Sequence, residues 1–522
     1  MNWYQTYFKE YGCMIGSHKK VGSKNMRKLL RLRIVIIMGS ILLCFNLFAC
    51  QTARIPTQTD EGSKSPTTEA VVATRYAVQE QGFQTETPPP DIQDLTDIST
   101  RYSFLATLDY NKHSLRVEQS IRYTNSTGKE LEELPLVVPP NLEKGVFDLS
   151  SITVDGVEFL NYEINETNLI LALDDNLEVD ETIQLVFRYS IHPKINGGVL
   201  GYTAKRINFS DWYPMIPPYD HVKGWICHPP STVGEYLAYE PADFDLQLTL
   251  AGAENLILAA NTQVVPLALD QYRLKSENIR NLVYSVSDRY QVLTGEMEGV
   301  ALKVYVFEGD EKSGQAVLNN SASALYFYGE LFGVPYPHKT FTVVESDFPD
   351  GMEYDGLYYL SDFYFKNYDG TFKNYLSLLS VHETSHQWWF GLVGSDQALE
   401  PWLDESLATY SEFLFIEHFY PQLADWWWQY RVETYAPGGN VNRTIYEQTD
   451  LRTYINAVYL QGAVFLHKVR RLVGDASFFD GLRGFTTAYS HKIARWDDLM
   501  DRLVPEPSDA VNALVSEYFI AK

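Results

Sequence analysis

Two histidines four residues apart, His382 and His386, lie inside an apolar run from Tyr375 to Val393 that has the periodicity of a helix. That spacing puts both imidazoles on one helix face, about one turn apart. The segment reads His382-Glu383-Thr384-Ser385-His386, an H-E-x-x-H pattern suited to two neighbouring ligands of a tetrahedral Zn2+. Glu383 projects beside such an ion and can deprotonate a water. Nineteen residues after His386, Glu405 opens a second helical pattern in Trp402-Leu403-Asp404-Glu405. There it supplies a third ligand and leaves the fourth position to water. The chain must therefore bring two helices to one zinc ion, and no organic cofactor is indicated.

The rest of the composition narrows the setting. The 522 residues are 45% hydrophobic and 21% charged, which excludes a wholly disordered or polytopic membrane chain. A formal charge of −25 excludes nucleic acid as the expected partner. Four cysteines are too few for a disulfide scaffold.

Residues 1–49 read as a signal segment. Arg27, Lys28, Arg31 and Arg33 precede an apolar run, Ile34 to Phe48, that is short for a spanning helix. Met26 stands directly before the basic cluster and is a candidate start. The run ends Leu47-Phe48-Ala49-Cys50, which resembles a bacterial lipobox. That resemblance implies an exported protein held to the membrane through a lipid on Cys50, with an uncleaved signal anchor as the alternative. Residues 50–95 read as a disordered tether, since half of 51–90 is Thr, Gln, Pro or Ser.

Two folded regions follow. From 96 to 310 the pattern is β-rich, with strand-length runs at Arg116–Tyr123, Leu169–Leu173, Thr182–Tyr189, Phe244–Ala251 and Val300–Phe307. They predict a sandwich or saddle-like antiparallel sheet. From 311 to 522 the pattern is α+β and mainly helical. Helices are expected at Ala316–Phe332, stopping at Gly333, and at about 372–393, 404–419, 456–473, 476–489 and 507–520, with strands at Thr340–Val344 and Leu357–Leu360. The aromatic runs Trp388-Trp389-Phe390 and Trp426 to Trp428 read as core and interdomain packing.

The stretch His382 to Glu412 resembles the gluzincin aminopeptidases of the aminopeptidase N family, through His-Gln-Trp-Trp-Phe-Gly at 386–391 and Trp-Leu-Asp-Glu at 402–405. The resemblance runs from about Tyr102 to Leu503 and implies a short form lacking the large helical C-terminal domain of many members. It implies a multidomain fold, a β-rich N-terminal domain before a thermolysin-like catalytic domain. The implied function is a zinc metallopeptidase acting on peptide N-termini.

Further roles come with the resemblance. The family's Gly-Ala-Met-Glu-Asn exopeptidase motif corresponds to Asp350-Gly351-Met352-Glu353-Tyr354. Gly351, Met352 and Glu353 would line the substrate site, with Glu353 pairing with the substrate α-ammonium. Tyr459, in Tyr459-Leu460-Gln461-Gly462-Ala463, would donate to the oxyanion of the tetrahedral intermediate, with Tyr454 as competitor. A second ammonium anchor common in the family, expected in Trp212-Tyr213-Pro214-Met215-Ile216-Pro217, is replaced by apolar Ile216. The alternatives are a broad oligopeptidase or endopeptidase with the same zinc site, and a non-catalytic surface protein keeping the fold.

Overall fold

A computed structural model describes residues 99–195 and 198–520. The signal segment, Cys50 and the tether expected over 1–95 lie outside these residues. Among the described residues, no helix is long and apolar enough to cross a membrane.

The β-rich region is built on an eight-stranded sheet. Its strands are β1 (Thr100–Asp109), β2 (Ser114–Thr124), β3 (Phe147–Val154), β4 (Val157–Glu158), β5 (Thr182–Ile191), β6 (Ala242–Ala251), β7 (Val264–Ala268) and β8 (Gln271–Ile279). They run in the order β7-β8-β6-β1-β2-β5-β3-β4. The pairing is antiparallel except between β1 and β6, which run parallel. Alternation decides which face is covered: Tyr102, Phe104, Ala106 and Leu108 of β1 and Leu115, Val117, Ile121 and Tyr123 of β2 are buried. The one polar residue on that face of β2, Gln119, is satisfied by donating to the Pro214 carbonyl at 2.7 Å and accepting from the Tyr189 hydroxyl at 3.0 Å. Three smaller sheets, of two, three and five strands, complete the region.

A second five-stranded sheet carries the helical region. Its strands are β9 (Gln291–Met297), β10 (Val300–Val306), β11 (Thr340–Ser346), β12 (Gly351–Tyr354) and β13 (Leu357–Ser361), in the order β9-β10-β11-β13-β12. The strand expected at Val300–Phe307 therefore does not belong with the β-rich region. It pairs parallel with β11, Ala301 facing Thr340, and helix α1 (Glu311–Phe332) makes the crossover that a parallel pair requires. Alternation within a strand does not say which sheet it joins. Helix α1 stops as expected at Gly333, whose φ of 76° suits a residue without a Cβ.

Both regions belong to one compact unit, and Arg280 ties them together. It is 2% exposed. Its guanidinium donates to the carbonyls of Tyr239, Gly391, Leu392 and Lys492, at 2.7, 2.8, 3.2 and 3.0 Å. Its amide donates to Asp355 Oδ2 at 3.0 Å, while His338 holds the other oxygen of Asp355 at 2.8 Å. Burial alone would raise the Asp355 carboxyl; His338 and Arg280 hold it below the usual carboxylate range. Arg280→Met leaves four carbonyls without their donor and removes the positive charge beside the buried Asp355, while the backbone amide at 280 still reaches that carboxylate. It should cost about 3–5 kcal/mol, read as a lowered midpoint in urea unfolding. An unchanged midpoint would show that the junction is held by packing alone.

Candidate active site

The H-E-x-x-H segment sits on helix α2 (Tyr375–Ser385), capped by Asn374, whose side chain accepts from the Ser377 amide at 3.0 Å. Every residue from Leu376 to Ser385 is buried, so this is a core helix and not a surface one. It ends sooner than the pattern to 393 suggests. After His386 the chain makes a wide turn in which the Gly391 amide reaches the His386 carbonyl at 2.8 Å, and Trp389 and Phe390 leave helical geometry. Arg280 takes the Gly391 and Leu392 carbonyls that a continuing helix would have used. Trp388 and Trp389 are buried in the helical core, and Phe390 packs into the β-rich core against Tyr239. Trp427 is buried as expected, but its indole also reaches into the site.

Helix α3 (Trp402–Phe419) is buried from 402 to 416 and presents Glu405 in its first turn. His382, His386 and Glu405 converge with 4%, 1% and 3% exposure. The two Nε2 atoms are 3.2 Å apart, and Glu405 Oε2 lies 3.5 and 3.6 Å from them. Donors on a tetrahedral ion with bonds of roughly 2.0–2.1 Å stand about 3.3–3.4 Å apart, so the triangle has the right size for zinc.

The outer bonds fix the protons. His382 Nδ1 meets Glu412 Oε1 at 2.9 Å, and His386 Nδ1 meets Asp404 Oδ1 at 2.6 Å. Each Nδ1 therefore donates, so that a ring in its neutral form has its Nε2 lone pair facing inward. Glu405 Oε2, facing both, is buried without a hydrogen-bond partner. Three electron-rich atoms facing one another in a dry site fit a cation between them. The carboxylates behind are held in turn. Arg431 reaches both Glu412 oxygens at 3.0 Å and Trp427 Nε1 donates to Oε2 at 3.0 Å, while Gln397 holds Asp404 Oδ2 at 2.6 Å. Burial opposes ionisation of Glu412, yet Arg431 and His382 hold its carboxyl down to about 2.

Glu383 is 4% exposed, and burial pushes its carboxyl up to about 7 against the pull of His382 and His386. Ligand atoms of Glu353, Glu383 and His386 lie within 4.8 Å of one another, so Glu353 stands beside the base. Strand β12 explains Gly351, because a Cβ there would overlap Glu383 Oε1. Met352 packs in a small core between the sheets. Burial, then Glu405 and Glu235, raise the Glu353 carboxyl well above its usual range, and its Oε1 has no partner.

Tyr459 donates its hydroxyl to Glu405 Oε1, and its ring lies parallel to that of His382 at 6.2 Å. Helix α4 (Gly462–Val473) starts immediately after, and Gly462 lets it touch α3, since a Cβ there would overlap Ser406 Oγ. Tyr454 packs 5.6 Å from Tyr459, fully buried, with its hydroxyl unpartnered.

Ile216 is not at the site. It lies in the β-rich core, its amide donating to the Tyr102 hydroxyl at 3.0 Å. The β-rich region contributes Glu235 instead, from the loop after Pro230. A Cβ on the adjoining Gly234 would stand 3.0 Å from the Tyr454 hydroxyl, so this loop is part of the site wall. Burial and the charges of Glu405 and Asp404 push Glu235 up to about 8. Glu235 was missed because one acid among 67 carries no periodic signal; its only mark is a Val233–Tyr239 stretch without a basic neighbour.

Residues 316–518 match the Peptidase family M1 domain. Aminopeptidase M1-C of Oryza sativa subsp. japonica is 23% identical over 395 residues, covering 71% of this chain and 44% of the relative. Aminopeptidase N of Lactobacillus helveticus is 27% identical over 286 residues, covering 50% and 34%. The chain thus spans less than half the length of these curated relatives. An M1 zinc metallopeptidase from Deinococcus radiodurans superposes with a TM-score of 0.58 at 17% identity, covering 81% of this chain and 93% of that one. That likeness is one of fold, a β-rich domain followed by a helical one as described above. The segment 316–518 is thus similar to the Peptidase family M1 domain, and the chain is similar to aminopeptidases that carry it.

Proposed function

We propose that this chain is a zinc-dependent aminopeptidase using one ion. What carries the reading is the inward-facing triangle of His382, His386 and Glu405 beside two carboxylates, Glu353 and Glu235, that no cation of the described residues contacts. Zinc held there would polarise the scissile carbonyl and make a nearby water more acidic. Glu383 takes that water's proton and passes it to the leaving amine; its raised pKa, near neutrality, suits both steps. Glu353 and Glu235 bind the substrate ammonium, which sets which peptide bond reaches the site. Tyr459 redirects its hydroxyl from Glu405 to the developing oxyanion. Export on a lipid at Cys50 belongs to the same proposal.

The charge pair with Glu353 separates this reading from a broad endopeptidase. Glu353→Ala should lower kcat/KM about 10–150-fold for peptides with free N-termini and hardly change it for N-acetylated ones. Equal wild-type rates on free and acetylated forms of one peptide would exclude aminopeptidase action.

Glu383→Gln should keep the metal, measured by elemental analysis, and lose about 10²–10⁴-fold in turnover. Retained turnover with zinc bound would remove Glu383 as base and zinc-free protein would remove the metal site.

Gly351→Ala should also retain zinc, since it touches no ligand. It pushes the Glu383 carboxylate aside, so kcat should fall by about 10²-fold. A kcat within threefold of wild type would show that Glu383 has room to move.

A further inference from the structure

The departure from the family motif at Tyr354 has a partner in the other half of the molecule. Tyr354 closes strand β12, directly after Glu353. Its hydroxyl donates to Asp211 Oδ2 at 3.2 Å. The other oxygen of Asp211 accepts from the Tyr239 hydroxyl at 2.6 Å. Tyr239 lies in the same loop as Glu235, four residues on. Asp211 thus sits between the two pieces of chain that carry the two ammonium-facing carboxylates.

The backbone at Asp211 supports more than a packing role. Its φ is 54°, in the left-handed region, where a residue other than glycine is held only by its surroundings. The next residue, Trp212, is fully buried and donates its indole N–H to the Leu282 carbonyl at 3.0 Å, which pins the segment. The two tyrosines are pinned as well. The Tyr354 carbonyl accepts from Gln387 Nε2 at 3.0 Å, immediately after the ligand His386. The Tyr239 carbonyl accepts from Arg280 at 2.7 Å. Each segment is thus tied at one carbonyl, and Asp211 is the side chain that joins the two.

We propose that Asp211 is a positioning residue, which clasps Tyr354 and Tyr239 and thereby sets the spacing of Glu353 and Glu235 for the substrate ammonium. This rests on the aminopeptidase reading. Asp211 acts as a double acceptor, so an amide at this position can still accept from one phenol and donate to the other. An alanine can do neither. Misplacing an anchor that binds substrate and transition state alike weakens KM and leaves kcat nearly alone.

The test uses the full chain, a panel of aminoacyl 4-nitroanilides and the N-acetylated form of the best one. Asp211→Ala should raise KM about tenfold or more with kcat within about threefold, and Asp211→Asn should restore KM to within about threefold of wild type. Tyr354→Phe should raise KM in the same direction and not add to Asp211→Ala. Thermal melting reports folding; should Asp211→Ala fail to fold, Tyr354→Phe and Asp211→Asn carry the test. A KM within twofold of wild type in Asp211→Ala, or in Tyr354→Phe where that variant stands in, overturns the clasp. So does an asparagine as impaired as alanine, which would mean that charge acts and not acceptance, and so does a kcat loss matching the KM loss. A wild type that shows no preference for the free N-terminus instead overturns the aminopeptidase reading, and the clasp falls with it. The two failures are told apart because one appears in the wild-type rates and the other only in the variants.

Discussion

Everything at this site depends on two short bonds made on its far side. Because Glu412 and Asp404 accept the Nδ1 protons of His382 and His386, each ring in its neutral form has only an Nε2 lone pair to turn inward. Lone pairs and the free Glu405 oxygen are left facing one another at 3.2 to 3.6 Å in a buried pocket. Such an arrangement is repulsive by itself. It persists because the second layer is itself held: Arg431 and Trp427 on Glu412, Gln397 on Asp404. Helices α2 and α3 are buried along nearly their whole length, so the rings cannot relax by tilting their backbones. The rigidity of the helical core would therefore be part of the affinity for the proposed ion.

The division of labour between the halves of the chain follows from this. The helical half contains the proposed metal ligands and base, and Arg280 of the β-rich half holds the turn that follows His386. What the β-rich half contributes is substrate register, through Glu235 and the wall that Gly234 forms against Tyr454. That contribution is only as accurate as the junction, which explains the concentration of buried hydrogen bonds on Arg280.

How much of this was legible beforehand depends on the range over which each signal acts. The ligand helices were legible because their pattern is local: His382, His386 and Glu405 declare themselves by spacing within 24 residues, and α1 stops at Gly333 where it should. Gly351 and Gly462 were legible as motif letters, but their reasons, the Glu383 carboxylate and Ser406, are contacts that only the fold brings about. The strand at 300–306 was found and assigned to the wrong sheet, since its partner β11 comes some forty residues later, across a helix. Glu235 was invisible and Ile216 misleading for one reason. Both lie in the β-rich half, where a residue's distance from the site is decided by loop paths that leave no periodic trace.

The close approach of Gly351 to Glu383 has a consequence for how such an enzyme can change. Strand β12 carries the ammonium anchor Glu353 and, two residues earlier, forms the floor on which the base rests. A shift that reaches the Gly351 end of that strand also moves the proton acceptor. Selectivity for the chain end and the efficiency of proton transfer are therefore mechanically geared to each other. New preferences would come more cheaply from the loop that carries Glu235, whose Gly234 abuts Tyr454 and Ile445.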